Sequence, residues 1–192
     1  MKHVPNALTI FRIVLTPILL VLLVSGTFAG SVAAFVLFVI AAVSDYFDGK
    51  LARLFKARSR LGQYLDPFAD KVLVLGTFVT LAVLMPRLVP WWAVLLIAAR
   101  DLMVTGLRTW AEARGRSLQT TPLAKFKTTS QLVFLLLTLF LLAVSKTSGG
   151  LGLAALRFLE SPVMFGLLVF VVLFTVYTGV VYLWHLEDAA PI

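Results

Sequence analysis

Ser31-Val-Ala-Ala-Phe-Val-Leu-Phe-Val-Ile-Ala-Ala-Val-Ser44-Asp45-Tyr-Phe-Asp48-Gly49-Lys-Leu-Ala52-Arg53-Leu54 starts as an uncharged apolar run and ends in a cluster of charged and small residues. The stretch as a whole is long enough to cross a bilayer, which takes roughly 20 residues as a helix. Its two parts then have different surroundings: the first two-thirds in hydrocarbon, the last third at a membrane face. A strand reading is excluded, because lipid leaves the edges of an open sheet unsatisfied. The stretch predicts an all-α polytopic membrane protein with polar chemistry at one end of the bundle.

The rest of the chain agrees. It has 192 residues, 60% of them hydrophobic, and a mean hydropathy of +1.00, far from soluble averages. Apolar runs of spanning length lie at about Ala7–Val24, Ser31–Leu54, Asp66–Met85, Trp91–Trp110, Leu123–Val144 and Pro162–Trp184. We read six transmembrane helices in one bundle, a single domain over residues 1–192. The first run is interrupted by Arg12 and Pro17 and exceeds a signal-peptide core, so it reads as a span and not as a cleaved leader. Pro67 suits a first helical turn and places Asp66 near an N-cap. Trp91 and Trp92 read as an interfacial belt. Lys146–Ser161, rich in Gly and Ser, reads as a loop.

Six spans put both termini on one side. The loops of the opposite side hold only Arg87, Lys146 and Arg157 among the 17 Lys and Arg. The positive-inside rule places both termini in the cytosol. The net charge of +8 then points to anionic lipid and phosphate, and not to nucleic acid, for which there is no soluble basic domain. Cysteine is absent, which excludes disulfides and thiolate metal sites.

Asp45, Asp48, Asp66 and Asp70 are four of nine acidic residues in the chain. Spacings of three and four put each pair on one helix face. Gly49 and Ala52 leave that face smooth, and Arg53 closes it with a fixed cation. Four carboxylates this close need neutralising. A donor set of carboxylates without His or Cys favours hard cations, Mg²⁺, Mn²⁺ or Ca²⁺, and two such ions can clamp a diphosphate. His3 and His185 are too distant to suggest zinc. By residues alone the cluster is a metal–phosphate site or, as an alternative, a path for cations.

The full pattern, D-x2-D-G-x2-A-R-x8-G-x3-D-x3-D, is filled by Asp45, Asp48, Gly49, Ala52, Arg53, Gly62, Asp66 and Asp70. On these residues the chain resembles the CDP-alcohol phosphotransferases. The resemblance implies an enzyme in which an alcohol attacks the diphosphate of a CDP-linked donor and CMP leaves. It implies two divalent ions held by Asp45, Asp48, Asp66 and Asp70, with Asp70 the base for the attacking hydroxyl. It also implies a CDP site along Gly49, Ala52, Arg53 and Gly62, and a homodimer, although no GxxxG seam argues for one.

Val4-Pro-Asn6-Ala-Leu-Thr9-Ile-Phe-Arg12, Ala99-Arg100-Asp101 through Arg114, and Lys125-Phe-Lys127-Thr-Thr-Ser-Gln131 are similar to one branch of that family, the phosphatidylglycerophosphate synthases. That branch takes CDP-diacylglycerol as donor and sn-glycerol 3-phosphate as acceptor. A phosphorylated acceptor needs extra cations, for which Arg108, Lys125 and Lys127, then Arg100, are the candidates. The same basic residues could instead snorkel to the interface. Asn6 and Thr9 are donor-site candidates or, with Arg12, cap and anchor the first helix. Arg58 and Arg60 read as a topology and anionic-lipid patch. Arg100 and Asp101, as neighbours on a helix, are expected to face apart, with Asp101 paired elsewhere. Another acceptor (inositol phosphate, serine or phosphatidylglycerol) would keep the reaction class. The expected setting is a bacterial inner membrane with the site facing the cytosol.

Overall fold

The computed structural model describes the backbone of residues 4–55, 60–113 and 122–187, and the side chains of residues 11–44, 71–111, 123 and 126–184. Every regular element among them is helical: α1 (Val4–Val24), α2 (Phe28–Phe55), α3 (Arg60–Leu84), α4 (Trp91–Ala113), α5 (Pro122–Ser145), α6 (Gly150–Leu159) and α7 (Pro162–Glu187). The short connections make sequential long helices antiparallel. The beginnings of α1, α3 and α5 and the ends of α2, α4 and α7 therefore share one end of the bundle, called here the near end.

Local chemistry shapes the helices before packing does. Pro17 lies inside α1 and removes one backbone donor. Beside it, the Thr16 hydroxyl donates to the Arg12 carbonyl at 2.8 Å. Helix α3 begins at Arg60, so Asp66 is not at its N-cap and Pro67 is not in its first turn. One missing hydrogen bond near a helix end does not stop a helix whose later turns are anchored in the core. The segment expected as a loop between residues 146 and 161 contains the ten-residue α6. A Cβ on Gly152 would lie 2.1 Å from the Thr147 carbonyl oxygen, so the α5–α6 corner closes only around glycine. Helix α6 buries Gly152, Ala155 and Leu159. At ten residues it is too short to span, which is why a search for spans passes over it.

The core is a set of helical stripes. Ala34, Phe38 and Ala41 of α2 are fully buried, as are Leu73, Phe78 and Leu81 of α3 or nearly so. Helix α1 packs against both α2 and α3, α4 against α3 and α7, and α5 against α2, α3, α6 and α7. Helix α5 is thus the central helix, joined to α3 by the stacked rings of Phe78 and Phe134, 6.0 Å apart.

The outer surface is apolar too. Val21, Phe126, Leu173 and Trp184 are between 64% and 71% exposed, a pattern that water does not reward over so many residues. Phe126–Ser145 and Pro162–Trp184 are, among the described residues, long and apolar enough to cross a bilayer.

Candidate active site

The helical register aligns the positions of the two acidic pairs with the buried stripes of α2 and α3. The buried positions 34, 38 and 41 of α2 advance by alternating steps of four and three. The same steps lead to positions 45, 48 and 52, which are Asp45, Asp48 and Ala52 on the same unbroken helix. On α3, steps of three and four back from Leu81, Phe78 or Thr77, and Leu73 or Val74 lead to Asp70 and Asp66. Both pairs thus occupy near-end positions on the stripes that form the core further along. Gly49 and Arg53 are on α2, Gly62 on α3, and Asn6 and Thr9 in the first turns of α1. Helix α1 packs on both α2 and α3. The side chains of all these residues, and of Lys125 on α5, lie outside the described residues.

The polar layer beside them is described in detail. Lys127 is 4% exposed and Asp101 6%. The Lys127 ammonium donates to both carboxylate oxygens of Asp101, at 2.6 and 2.8 Å. The Arg100 guanidinium also reaches Asp101, with Nη1 3.2 Å from Oδ1. The expectation that neighbouring Arg100 and Asp101 face apart is therefore corrected. Their Cβ atoms do diverge, but the long arginine side chain bends back along the helix. Space for this comes from α7: a Cβ on Gly179 would lie 2.8 Å from Arg100 Cγ.

Helix α3 joins the same layer. Lys71, which follows Asp70, donates to the Thr105 hydroxyl, and Thr105 donates to the Asp101 carbonyl at 2.8 Å. One turn further into the bundle, the Gln131 amide donates to the Thr175 hydroxyl at 3.2 Å. Thr178, beside it on α7, is also buried and back-bonds to the Thr175 carbonyl. Two cations, Arg100 and Lys127, thus hold the Asp101 carboxylate, and Lys71, next to Asp70 in the chain, joins the same layer through Thr105. The buried Nε–H of Arg100 makes no hydrogen bond among the described residues. Arg12 is buried on α1 at 1% exposure, so its head is inside the bundle and not at the lipid interface. Arg108, two turns beyond Asp101, is exposed at the near end.

Of the predicted acceptor cations with described side chains, the structure brings Arg100 and Lys127 together and leaves Arg108 apart from them. Sequence reading missed Lys71, Thr105, Gln131, Thr175 and the Asp101–Lys127 pairing. One signal was available: a carboxylate inside an apolar run demands a buried cation. No spacing rule selects which one.

Residues 2–184 match the CDP-alcohol phosphatidyltransferase family. The chain belongs to that family. It is 36% identical over 138 residues to the CDP-diacylglycerol–glycerol-3-phosphate 3-phosphatidyltransferase of Escherichia coli (strain K12), an alignment covering 69% of this chain and 74% of the relative. The proteins of that name from Escherichia coli O157:H7 and Shigella flexneri serotype 5b (strain 8401) match with the same identity and coverage. As a CDP-alcohol phosphatidyltransferase the chain is a membrane enzyme of phospholipid synthesis, which accounts for an apolar exterior around a charged interior layer.

The family's use of divalent cations fits this chain's donor set. The four signature aspartates offer oxygen only, and both pairs lie on continuous helix with the required three- and four-residue spacing. Among the described residues there is no other group of His, Cys, Asp and Glu suited to a metal.

Proposed function

We propose that this enzyme transfers the phosphatidyl group from CDP-diacylglycerol to sn-glycerol 3-phosphate, giving phosphatidylglycerophosphate and CMP on the route to phosphatidylglycerol. The observation that carries this reading is the juxtaposition at the near end. Two acidic pairs continue the inward stripes of α2 and α3, and a buried layer with three cations begins one residue later.

The acceptor hydroxyl oxygen attacks the phosphorus that bears the diacylglycerol. The bond from that phosphorus to the oxygen of CMP breaks, and Asp70 takes the hydroxyl proton. Asp45, Asp48, Asp66 and Asp70 hold two divalent ions, Mg²⁺ or Mn²⁺, which when bound neutralise the charge that builds on the diphosphate. Gly49, Ala52, Arg53 and Gly62, with Asn6 and Thr9, line the CDP site, where small residues let the donor approach the backbone. Arg108, Lys125 and Arg100 hold the acceptor phosphate. The buried, unbonded Nε–H of Arg100 supports that role, since a phosphate oxygen would satisfy it. Lys127 already has a carboxylate partner, so its part is to hold the layer together as well as to attract phosphate. Reactions of this type depend mainly on positioning and charge stabilisation.

The six long helices span the bilayer as a single domain, and α6 lies in the far interface. Each long helix has at least 21 residues, which at 1.5 Å per residue is about 32 Å against a hydrocarbon core of about 30 Å. Exposed Trp91 and Trp92 at the far end, and Trp110 and Trp184 at the near end, support two aromatic belts. The surplus of Lys and Arg at the near end puts both termini and the site in the cytosol of a bacterial inner membrane. The apolar outer faces offer a second copy the same surface they offer lipid, and a homodimer belongs to this reading.

The test is CMP release by purified protein given CDP-diacylglycerol and Mg²⁺ or Mn²⁺, with sn-glycerol 3-phosphate, inositol phosphate, serine or no acceptor. Release that requires glycerol 3-phosphate and stops with EDTA is expected. Release with a different acceptor overturns the acceptor assignment and keeps the reaction class. No release with any acceptor from folded protein overturns both.

A further inference from the structure

At the end of the bundle opposite the aspartates, the structure has a cavity of about 600 Å³, within the range of small-molecule sites. Its walls come from the ends of α1, α3 and α5, the starts of α2 and α7, and α6. Leu23, Leu88, Leu142 and Phe165 make it largely apolar. Arg87 and Lys146 also line it, together with Glu160. All three are exposed and form no ion pair among the described residues.

The cavity wall also includes Ser31, which is 1% exposed and whose hydroxyl makes no hydrogen bond among the described residues. Its neighbours differ: Ser145 donates to the Leu142 carbonyl at 2.8 Å and Ser161 to the Phe158 carbonyl at 2.6 Å. A buried hydroxyl left unbonded costs roughly 1–3 kcal/mol, so a polar ligand atom in the cavity would remove a penalty the protein otherwise carries. A ligand matched to this site has an apolar body, a polar atom for Ser31 and an anionic group for Arg87 and Lys146.

We propose that the far-end cavity binds a glycerophospholipid of the opposite leaflet, with its phosphodiester held between Arg87 and Lys146 and its glycerol backbone against Ser31. Arg supplies a planar fork for phosphate oxygens and Lys a point charge. Glu160 faces the polar end of the headgroup, where it accepts from a hydroxyl or ammonium group. Helix α6 is the outer wall. Its Leu151, Leu153 and Phe158 are 69%, 50% and 42% exposed, as a helix lying in the interface would present them. The site is separate from the reaction centre and rests on the bilayer-spanning arrangement proposed above.

Native mass spectrometry of the detergent-solubilised full chain tests it, with phosphatidylglycerol, diacylglycerol or inorganic phosphate added. The unmodified chain is expected to retain phosphatidylglycerol, and the Arg87→Gln/Lys146→Gln variant to hold one molecule fewer, with about tenfold weaker retention of that molecule. Diacylglycerol, which lacks the phosphate, is expected not to replace it. Ser31→Leu, which fills the wall with carbon, is expected to act like the double variant. Both variants should keep full transferase activity, which shows that they fold. Equal retention by unmodified chain and double variant overturns the proposal. So does inorganic phosphate displacing the lipid at millimolar concentration, which would mark a soluble-anion site. A failure of the bilayer arrangement itself looks different: the chain would stay soluble without detergent and retain no lipid in any form.

Discussion

Replacing Asp101 by Asn tests the buried layer most directly. The change preserves shape and removes one charge, taking from Arg100 and Lys127 the carboxylate that both contact. The Asp101 and Lys127 side chains are 8% and 5% exposed, and their closest contact is 2.6 Å. For a pair this buried, removing one partner costs about 3–5 kcal/mol, because the remaining charge stays desolvated. A neutral hydrogen bond between membrane helices contributes only about 0.6 kcal/mol on average and at most about 1.7. The two explanations of this contact therefore predict different outcomes. If it is an ion pair, Asp101→Asn lowers the folding constant by about two decades or more, at about 1.4 kcal/mol per decade. Equilibrium unfolding in mixed micelles, followed by loss of helicity, measures it. The double variant Asp101→Leu/Lys127→Met removes both charges and is expected to recover most of the loss, giving a strongly non-additive cycle. A loss under about 1 kcal/mol for Asp101→Asn, or a double variant as unstable as the two single losses added, would refute the reasoning.

Three other expectations follow from the same site. Asp70→Asn should abolish CMP release while changing CDP-diacylglycerol binding by no more than a few-fold; normal turnover by the purified variant would remove Asp70 as the base. Arg108→Ala should raise the acceptor KM by about 10- to 100-fold, the equivalent of one charge-assisted hydrogen bond, with a smaller effect on the donor KM; equal effects on both would argue against an acceptor role. Gly179→Val should push Arg100 off α7, since even a Cβ there lies 2.8 Å from Arg100 Cγ. Overpacking of this kind costs about 1–3 kcal/mol, and an unchanged unfolding midpoint would show that Arg100 can take another path.

The residues differ in how far they could be read without coordinates. The signature from Asp45 to Asp70 is local, and helical periodicity alone assigns faces to its members. The structure adds that both faces continue the buried stripes through Phe38 and Phe78. Arg108 and Lys125 were visible as basic residues at helix ends, a position that suits either phosphate or a membrane interface. Helix α6 was hidden by its Gly-rich start and its length. Pro67 favours a helix start and so suggests an N-cap at Asp66, but α3 already begins at Arg60 and runs through both.

The chain's sequence by itself determined a helical membrane bundle, the register of four aspartates, and membership of the CDP-alcohol phosphatidyltransferases. The first two follow from composition and from spacings of three and four, which any helix turns into a shared face; the third follows from the signature residues and the match to the family over residues 2–184. Only the tertiary structure decided that Asp101 of α4 meets Lys127 of α5, that Gly179 of α7 makes room for Arg100, and that Lys71 of α3 reaches Thr105 of α4. It also brought Ser31, Arg87 and Lys146 to one cavity. The reason is physical. Partners within a helix are set by its pitch, whereas partners between helices are set by which stripes pack together, and apolar stripes of similar composition can pack in many ways until small residues and buried charges select one.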